Sequence, residues 1–293
     1  MRISFRHQYD TYLSDLGRAQ EAYIGAQQKV SSGRRINSIG DDPTGTQSAI
    51  SMRNLRSTLG QFGANIDTAE VSLKSSEASL TELQTLIRRA QELASQGANA
   101  TTSQEARNGM VSEVNEIQKR ILNLANTQLP NGNYIFAGQN SSAQPFTAVG
   151  AVLTYNGDSN QITVEVGPNE QVAANVPAEK MVKDLWDRME SLKANLQSGN
   201  VSALGNIDLA DIKKSETDVL LTRGTIGGRL KTLDENKNTL TRRMDELTEQ
   251  ISNVEDVDMS EAILNYKLAE TAYQAAMQSV SMGSRLSLMD FLR

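Results

Sequence analysis

The residue types that most often carry catalysis are scarce in this sequence of 293 residues. It has no cysteine and a single histidine, His7, so thiolate chemistry, a zinc cluster and a histidine-based triad lack the residues they need. The adjacent carboxylates Asp41 and Asp42 come nearest to a metal site, but a divalent cation needs more oxygen ligands than these two side chains offer. Because Asp42 precedes Pro43, it is the better candidate for the N-cap of a helix.

Two other segments could be mistaken for sites of chemistry. The stretch GTIGGR at 224–229 resembles a phosphate-binding loop but lacks its Gly-Lys-Ser/Thr ending and lies inside a helical repeat. Residues 135–178 offer only the carboxylates of Asp158, Glu165 and Glu170 for acid–base work. We therefore expect no catalytic centre, no cofactor and no bound metal, and we do not expect an enzyme.

Charge and hydropathy narrow the classes of partner. The net charge is −6 and the basic residues are dispersed, with Arg34 and Arg35 as the nearest thing to a patch, which argues against nucleic-acid binding. No run of 18 apolar residues exists, so we expect no membrane span. The first ten residues lack the apolar core of a signal peptide, so a protein that leaves the cell would do so without a cleaved signal.

Long helical seams dominate the pattern. From Pro43 onward, apolar and small residues recur at alternating spacings of three and four, which is typical of a narrow seam packed on another helix. The same spacing continues after a break at Gly97 and returns between Ile212 and Val254, where we predict one continuous helix despite three glycines. The first of these seams comprises Ile66, Ala69, Leu73, Ser76, Leu80, Leu83, Ile87, Ala90 and Ala94.

Residues 135–178 change character. Val152–Tyr155 and residues 162–166 alternate apolar and polar side chains, and Asn156–Gly157–Asp158 stands between them, which predicts a β-hairpin. A helix resumes at about 179–198, where we expect Trp186 to pack against the other helices. The fold class is therefore mainly α, a long antiparallel helical coiled-coil rod with a small β-rich insert.

The two ends of the chain carry fewer large apolar residues per turn than the seams. Because ordering a residue costs about 1–2 kcal/mol, and burying a Leu or Ile returns roughly 1.5–3 kcal/mol, such helices are marginal alone. We expect the terminal helices to order only on assembly. The predicted domains are a terminal assembly domain (1–42 and 256–293), a helical rod (43–134 and 179–255) and the insert (135–178).

The ends also carry recognisable motifs. The segment QKVSSGRRIN at 28–37 followed by DDP at 41–43 resembles the N-terminal signature shared by bacterial flagellins and the hook-associated protein 3 family. At the other end, AETAYQAA at 269–276 and SLMDFL at 287–292 are similar to the C-terminal motifs of the same superfamily. The final motif, LPNGNYIFAG at 129–138 and YNGD at 155–158 favour the hook-associated protein 3 family over flagellin.

This resemblance implies a structural subunit of the flagellum, at the junction of hook and filament, that is needed for motility. It implies export without a cleaved signal through the flagellar type III apparatus, an extracellular location, and a chaperone on the C-terminal segment. It further implies a ring that contacts another hook-associated protein and flagellin. The predicted interface residues are Leu13, Leu16, Ile24, Val30, Arg34, Arg35, Ile36, Leu264, Leu268, Ala272, Ala276, Val280, Leu286, Leu288, Met289, Phe291 and Leu292.

Two other functions would explain part of the same sequence pattern. Flagellin, the filament subunit, shares the folding and export pattern, and the short insert and the Asp290–Phe291 ending favour the junction protein instead. A cytoplasmic coiled-coil scaffold would explain the heptads but not the β insert or the paired terminal motifs.

Overall fold

The computed structural model describes residues 2–291, with the side chains of residue 7 and residues 10–282. This part of the chain is mainly helical, with two short pairs of strands between the third and fourth helices. The helices are α1 (Arg2–Ser32), α2 (Pro43–Gly97), α3 (Gln104–Ala125), α4 (Glu179–Ser198), α5 (Val201–Ala203), a π-helical turn (Leu204–Asp208), α6 (Leu209–Glu255) and α7 (Met259–Phe291). The strands are β1 (Phe146–Val149), β2 (Val152–Tyr155), β3 (Thr163–Gly167) and β4 (Glu170–Ala173).

The chain divides into two compact units. The central unit is residues 59–241, and the terminal unit combines residues 1–58 with residues 242–293. The long helices α2 and α6 contribute residues to both. Within the described residues, we find no helix with the length and apolar character needed to cross a bilayer.

In the central unit, α2 and α6 run antiparallel. Asp67 Oδ1 lies 2.6 Å from Lys237 Nζ, and further along α2 the Nε of Arg88 lies 2.9 Å from Glu216 Oε1. Residue numbers along α6 therefore fall as those along α2 rise. The predicted seam is buried, which confirms the heptad reading, and the apolar residues it meets on α6 are buried as well. The buried seam residues are Ile66, Ala69, Leu73, Ser76, Leu80, Leu83, Ile87, Ala90 and Ala94 on α2, with Ile212, Val219, Ile226, Leu233 and Leu240 on α6.

The polar residues of the α6 seam form hydrogen bonds with side chains of α2 and are not buried without partners. Glu216 accepts hydrogen bonds from Gln91 Nε2 and from Arg88 Nε, both at 2.9 Å, and these bonds lower the pKa of its carboxyl. Arg223 donates from Nη2 to Glu77 Oε1 at 2.7 Å. Because a one-turn slip would break all of these pairs at once, they fix the register of the two helices.

Helices α3 and α4 pack against each other in the same unit. Lys193 Nζ donates to Gln118 Oε1 at 2.9 Å, and the Val114, Ile117 and Ile121 face of α3 is buried. Trp186 is only 5 % exposed and donates from Nε1 to the carbonyl oxygen of Ala151 at 2.9 Å, so it is buried beside the turn between β1 and β2. The indole therefore ties α4 to the turn of the first strand pair.

The strands pair differently from the prediction. β2 pairs with β1, so that Val149 faces Val152, and β3 pairs with β4, so that Val164 faces Val172. The predicted hairpin that joins 152–155 to 162–166 is therefore wrong. The region holds two antiparallel hairpins, each with a two-residue turn: Gly150–Ala151 in the first and Pro168–Asn169 in the second.

The Asn-Gly-Asp motif makes a corner instead of a hairpin turn. The carboxylate of Asp158 accepts backbone N–H groups from Gln139 at 3.0 Å, Asn140 at 2.9 Å and Asn160 at 2.9 Å. These bonds lower the pKa of Asp158, and the bond from Gln139 contributes most to the shift. Tyr155 Oη donates to the carbonyl oxygen of Asp158 at 2.7 Å, and burial raises the pKa of this phenol to about 12. The motif therefore anchors the loop at 139–140.

Helix α6 runs without a break from Leu209 to Glu255, which confirms the continuous helix predicted across the three glycines. The π-helical turn before it, Leu204–Asp208, was not predicted. Its Asp208 is buried and accepts hydrogen bonds from Ser191 Oγ and Asn195 Nδ2, both at 2.8 Å. A π-turn is defined by backbone geometry, and no apolar periodicity marks it in the sequence.

Candidate assembly surface of the terminal unit

Helices α1 and α7 pack antiparallel through a group of tyrosines. The Tyr23 ring lies 5.5 Å from that of Tyr266 and 5.6 Å from that of Tyr273, and the second pair is stacked at 11°. The hydroxyls of Tyr23 and Tyr266 are 3.3 Å apart, and this hydrogen bond raises the pKa of Tyr23. Offset and stacked aromatic pairs add about 0.5–1.5 kcal/mol beyond their buried area, so Tyr23 is the centre of the α1–α7 contact.

The segments that follow α1 and α6 form a short backbone junction. Arg35 N donates to the carbonyl oxygen of Glu255 at 2.6 Å, and Val257 N donates to that of Gly33 at 3.0 Å. The Arg35 guanidinium donates to the carbonyl oxygen of Val254 at 2.8 Å, near the C-terminus of α6, where a helix leaves its carbonyls without partners. The basic pair Arg34–Arg35 therefore lies beside the end of α6.

Charged side chains close the same junction. The Arg53 guanidinium forms an ion pair with the carboxylate of Glu255, which is only 8 % exposed. Arg35 also reaches Asp42 Oδ2 with both terminal nitrogens at 3.2 Å. A carboxylate buried this deeply needs its cation, because an unpaired buried charge is costly.

The carboxylates at 41–42 organise the start of α2. Asp42 Oδ1 accepts the backbone N–H of Gly45 at 2.8 Å, which confirms the N-cap, and this bond is the main reason why the pKa of Asp42 is lowered. Asp41 Oδ2 accepts the backbone N–H groups of Ser38 at 2.8 Å and Asn37 at 2.9 Å, which lower its pKa as well. Both carboxylates have structural roles in the loop. In the part of the chain that the structure describes, no three His, Cys, Asp or Glu residues come together in a way that could hold a metal ion.

The interface residues predicted on α1 fall into two sets. Leu16 and Val30 lie seven residues on either side of Tyr23, so they share its α7-facing side and are half-buried. Leu13 and Ile24 lie on another side of the helix, and each is 43 % exposed. Only the second pair offers apolar surface outside the α1–α7 contact.

The predicted residues after α1 also separate. Ile36 is buried, and the space it occupies exists because Gly45 has no side chain: a Cβ there would lie 2.7 Å from Ile36 Cδ1. It therefore packs within its own chain. Arg34 and Arg35 are exposed at their side chains, although their backbones take part in the junction with 255–257.

The residues predicted on α7 separate in the same way. Ala276 and Val280 are half-buried, and Val280 follows Tyr273 by seven residues on the α1-facing side. Leu264 is 60 % exposed and Leu268 61 % exposed, and Ala272 is exposed. The predicted residues Leu286, Leu288, Met289, Phe291 and Leu292 lie outside the residues whose side chains the structure describes.

An outer stripe of α7 follows from the helical spacing. Leu264, Leu268, Ala275 and Met282 are separated by four, seven and seven residues and are all exposed, so they share the side of α7 that α1 leaves uncovered. We call these four residues the outer stripe. Ala275 and Met282 were not among the predicted interface residues, although their heptad spacing from Leu268 carried the signal.

The tyrosines and the Arg53–Glu255 pair were also missed as features of this unit. Sequence spacing does not show which residues of a distant helix Tyr23 faces. Glu255 lies at the end of α6, with its carbonyl oxygen in the junction.

Comparison with known proteins agrees with this arrangement of helices. The N-terminal helical region of bacterial flagellin matches residues 3–141, and the C-terminal helical region matches residues 209–292. The chain is also 27 % identical over 321 residues to flagellar hook-associated protein 3 of Salmonella typhimurium, and the match covers 100 % of both chains. The chain belongs to the bacterial flagellin superfamily, in the hook-associated protein 3 family.

Two further relatives mark the breadth of this family. Flagellin FlaB1 of Treponema pallidum is 25 % identical over 271 residues, which cover 91 % of each chain. A solved structure described as a putative flagellar hook-associated protein from Vibrio parahaemolyticus shares the fold, with a TM-score of 0.69 and 21 % identity over 74 % of this chain and 100 % of that one.

Proposed function

We propose that the chain is a structural subunit of the bacterial flagellum that forms the junction between hook and filament. The observation that carries this proposal is the match to flagellar hook-associated protein 3 of Salmonella typhimurium, which covers 100 % of both chains. The strands in the described residues are confined to 146–173, which leaves a small region for the outward-facing domain expected of a junction subunit. The proposal needs no cofactor, and we infer that the chain is not an enzyme.

The exposed apolar side chains support a role in assembly. The outer stripe on α7 and the Leu13–Ile24 side of α1 present large apolar residues that the α1–α7 contact does not cover. Contiguous exposed apolar surface is typical of an interaction site. We propose that residues 1–42 and 256–293 form the inner part of a ring of subunits, which contacts another hook-associated protein and flagellin, and that the remaining domains divide at 135–178 as the sequence predicts.

We also propose that these ends order on assembly. The α1–α7 contact rests on three tyrosines and a few aliphatic residues that are only half-buried, such as Leu16 and Val30, and an isolated helix pair of this kind is marginal in water. Such a chain suits export in an unfolded form through the flagellar type III apparatus, with no cleaved signal, to an extracellular location. The exposed leucines of α7 are the surface on which we expect an export chaperone to hold the C-terminal segment before assembly.

Flagellin is the second candidate function, since the Treponema flagellin matches over most of its own length. A filament subunit would polymerise by itself, whereas a junction subunit would form a ring and stop. Purified chain that grows into long filaments under electron microscopy would favour this alternative.

Deletion of the gene tests the junction directly. The expected result under electron microscopy is hooks without filaments, with flagellin shed into the medium. The flagellin subunits would then have no junction protein to attach to. Normal flagella and normal motility in the deletion strain would overturn the proposal. Loss of filaments without shed flagellin would favour the flagellin alternative.

Complementation with variants tests the assembly surface. We expect Leu264→Glu with Leu268→Glu to abolish the rescue of motility, because two charges would have to be buried in the ring. The matched control is Leu220→Glu with Leu221→Glu on α6, at residues that are 47 % and 67 % exposed. If both double variants restored motility equally, the outer stripe would not be part of the interface.

A further inference from the structure

The exposed methionines of the described residues are confined to one helix. Met259 is 43 % exposed, Met277 45 % and Met282 64 %, and all three belong to α7. Elsewhere in the described residues Met189 is fully buried, and Met52, Met110, Met181 and Met244 are half-buried. A thioether that reaches solvent is the form of methionine that oxidants attack.

We propose that the exposed methionines of α7 are a modification site at which a hydroperoxide oxidises the unassembled chain and blocks its assembly. The thioether sulfur attacks the terminal oxygen of the hydroperoxide. An S–O bond forms as the O–O bond breaks, and the leaving oxygen takes up the proton to give water or an alcohol. The sulfur is oxidised by two electrons to the sulfoxide, and the peroxide is reduced by two electrons.

Oxidation would weaken assembly because of where these methionines lie on α7. Met282 belongs to the outer stripe with Leu264 and Leu268, and a sulfoxide adds a strong hydrogen-bond acceptor to that apolar surface. Burying such a group in an apolar contact without a partner is unfavourable. This step of the inference rests on the proposed function, since the stripe must be buried in the assembly for oxidation to matter.

The site itself is tested by peroxide treatment of the purified full-length chain. Peptide mapping by mass spectrometry over a time course measures sulfoxide formation at each methionine. We expect Met259, Met277 and Met282 to oxidise about tenfold faster than Met189, in keeping with their exposure. Equal rates at Met282 and Met189 would overturn the assignment.

The consequence is tested on hooks isolated from a strain that lacks this protein. The chain is treated with peroxide, separated from it, and added to the hooks, and bound chain is measured after sedimentation. We expect a loss of at least about tenfold in bound chain after oxidation, and recovery after treatment with methionine sulfoxide reductases. Undiminished binding by chain with fully oxidised Met282 would overturn the inference.

Leucine variants separate the modification from damage elsewhere. The triple variant Met259→Leu, Met277→Leu and Met282→Leu keeps apolar side chains of similar volume and should bind hooks equally before and after peroxide. The control Met110→Leu should lose binding on oxidation as the natural chain does. Failure of the untreated natural chain to bind hooks would count against the proposed function, and the peptide map would still decide the modification site.

Discussion

The backbone N–H of Arg35 donates to the carbonyl oxygen of Glu255 at 2.6 Å, and the side chain of the same glutamate forms an ion pair with Arg53. One residue at the end of α6 thus holds the segment after α1 through its backbone and α2 through its carboxylate. The Glu255 side chain is only 8 % exposed and that of Arg53 is 40 % exposed, so loss of the cation would leave a largely buried carboxylate without its partner, which is costly.

Glu255→Ala tests this junction. Removal of the carboxylate leaves the Arg53 guanidinium without its partner, and we expect the free energy of unfolding to fall by about 1–2 kcal/mol in urea. The matched control is Glu249→Ala, at an exposed glutamate of the same helix, which should change it by less than about 0.5 kcal/mol. Equal effects of the two substitutions would show that the ion pair contributes nothing measurable.

Tyr23 tests whether the terminal helices order on assembly. Tyr23→Ala removes both ring contacts to α7, whereas Tyr23→Phe removes only the 3.3 Å contact between hydroxyls. We expect the alanine variant to lose the rescue of motility and the phenylalanine variant to keep most of it. Thermal unfolding of the purified monomer should be the same for both, and a clear fall in the melting temperature with alanine would mean that α1 and α7 are already folded together in the monomer.

The helical seams could be predicted from the sequence, because the buried face of a helix appears there as apolar residues at regular spacings. Leu73, Leu80 and Ile87 repeat every seven residues and all are fully buried. The predicted pairing of the strands was wrong because it depends on a contact between distant residues. Asn156–Gly157–Asp158 is suited to a tight turn, but the carboxylate of Asp158 binds N–H groups at 139–140, which no local pattern reveals.

The candidate assembly surface was predictable only in part for the same physical reason. Leu264 and Leu268 were identified from their apolar type and helical position, and they are exposed. The choice between the α7 residues that face α1 and those that face outward depends on where Tyr23 lies. That is a contact between residues more than 240 positions apart, and helical periodicity alone does not determine it.

Asp42 gives the chain a pH dependence of known sign. Its pKa lies below the ordinary value of 3.8, because the folded state holds the carboxylate in the N-cap and beside Arg35. The contribution to stability is therefore fully present above that ordinary value, and it is lost as the pH falls through the lower folded-state pKa. Asp42→Asn keeps an acceptor for the Gly45 N–H but does not titrate there, so we expect its urea unfolding curves to change less than those of the natural chain between pH 5 and pH 2. Parallel acid dependence in the two proteins would assign the effect to other carboxylates.

Gly138 tests the corner that the Asn-Gly-Asp motif makes. Its φ is +72°, and a Cβ at this position would collide with the backbone carbonyl of Asp158, which cannot move without breaking the bonds to 139–140. We expect Gly138→Ala to lower the free energy of unfolding by about 3 kcal/mol or more, since strain and a backbone clash act together.

The control for that substitution is Gly132→Ala. Gly132 has a φ of +86° but nothing within 4 Å of the position that a Cβ would occupy, so only the backbone strain applies. That strain costs about 1–2 kcal/mol for an L-residue. Urea unfolding of the two variants measures the difference, which is the cost of displacing Asp158. If the two substitutions cost the same, the loop at 138–140 moves aside without penalty, and the Asp158 corner does not hold the strand pairs in place.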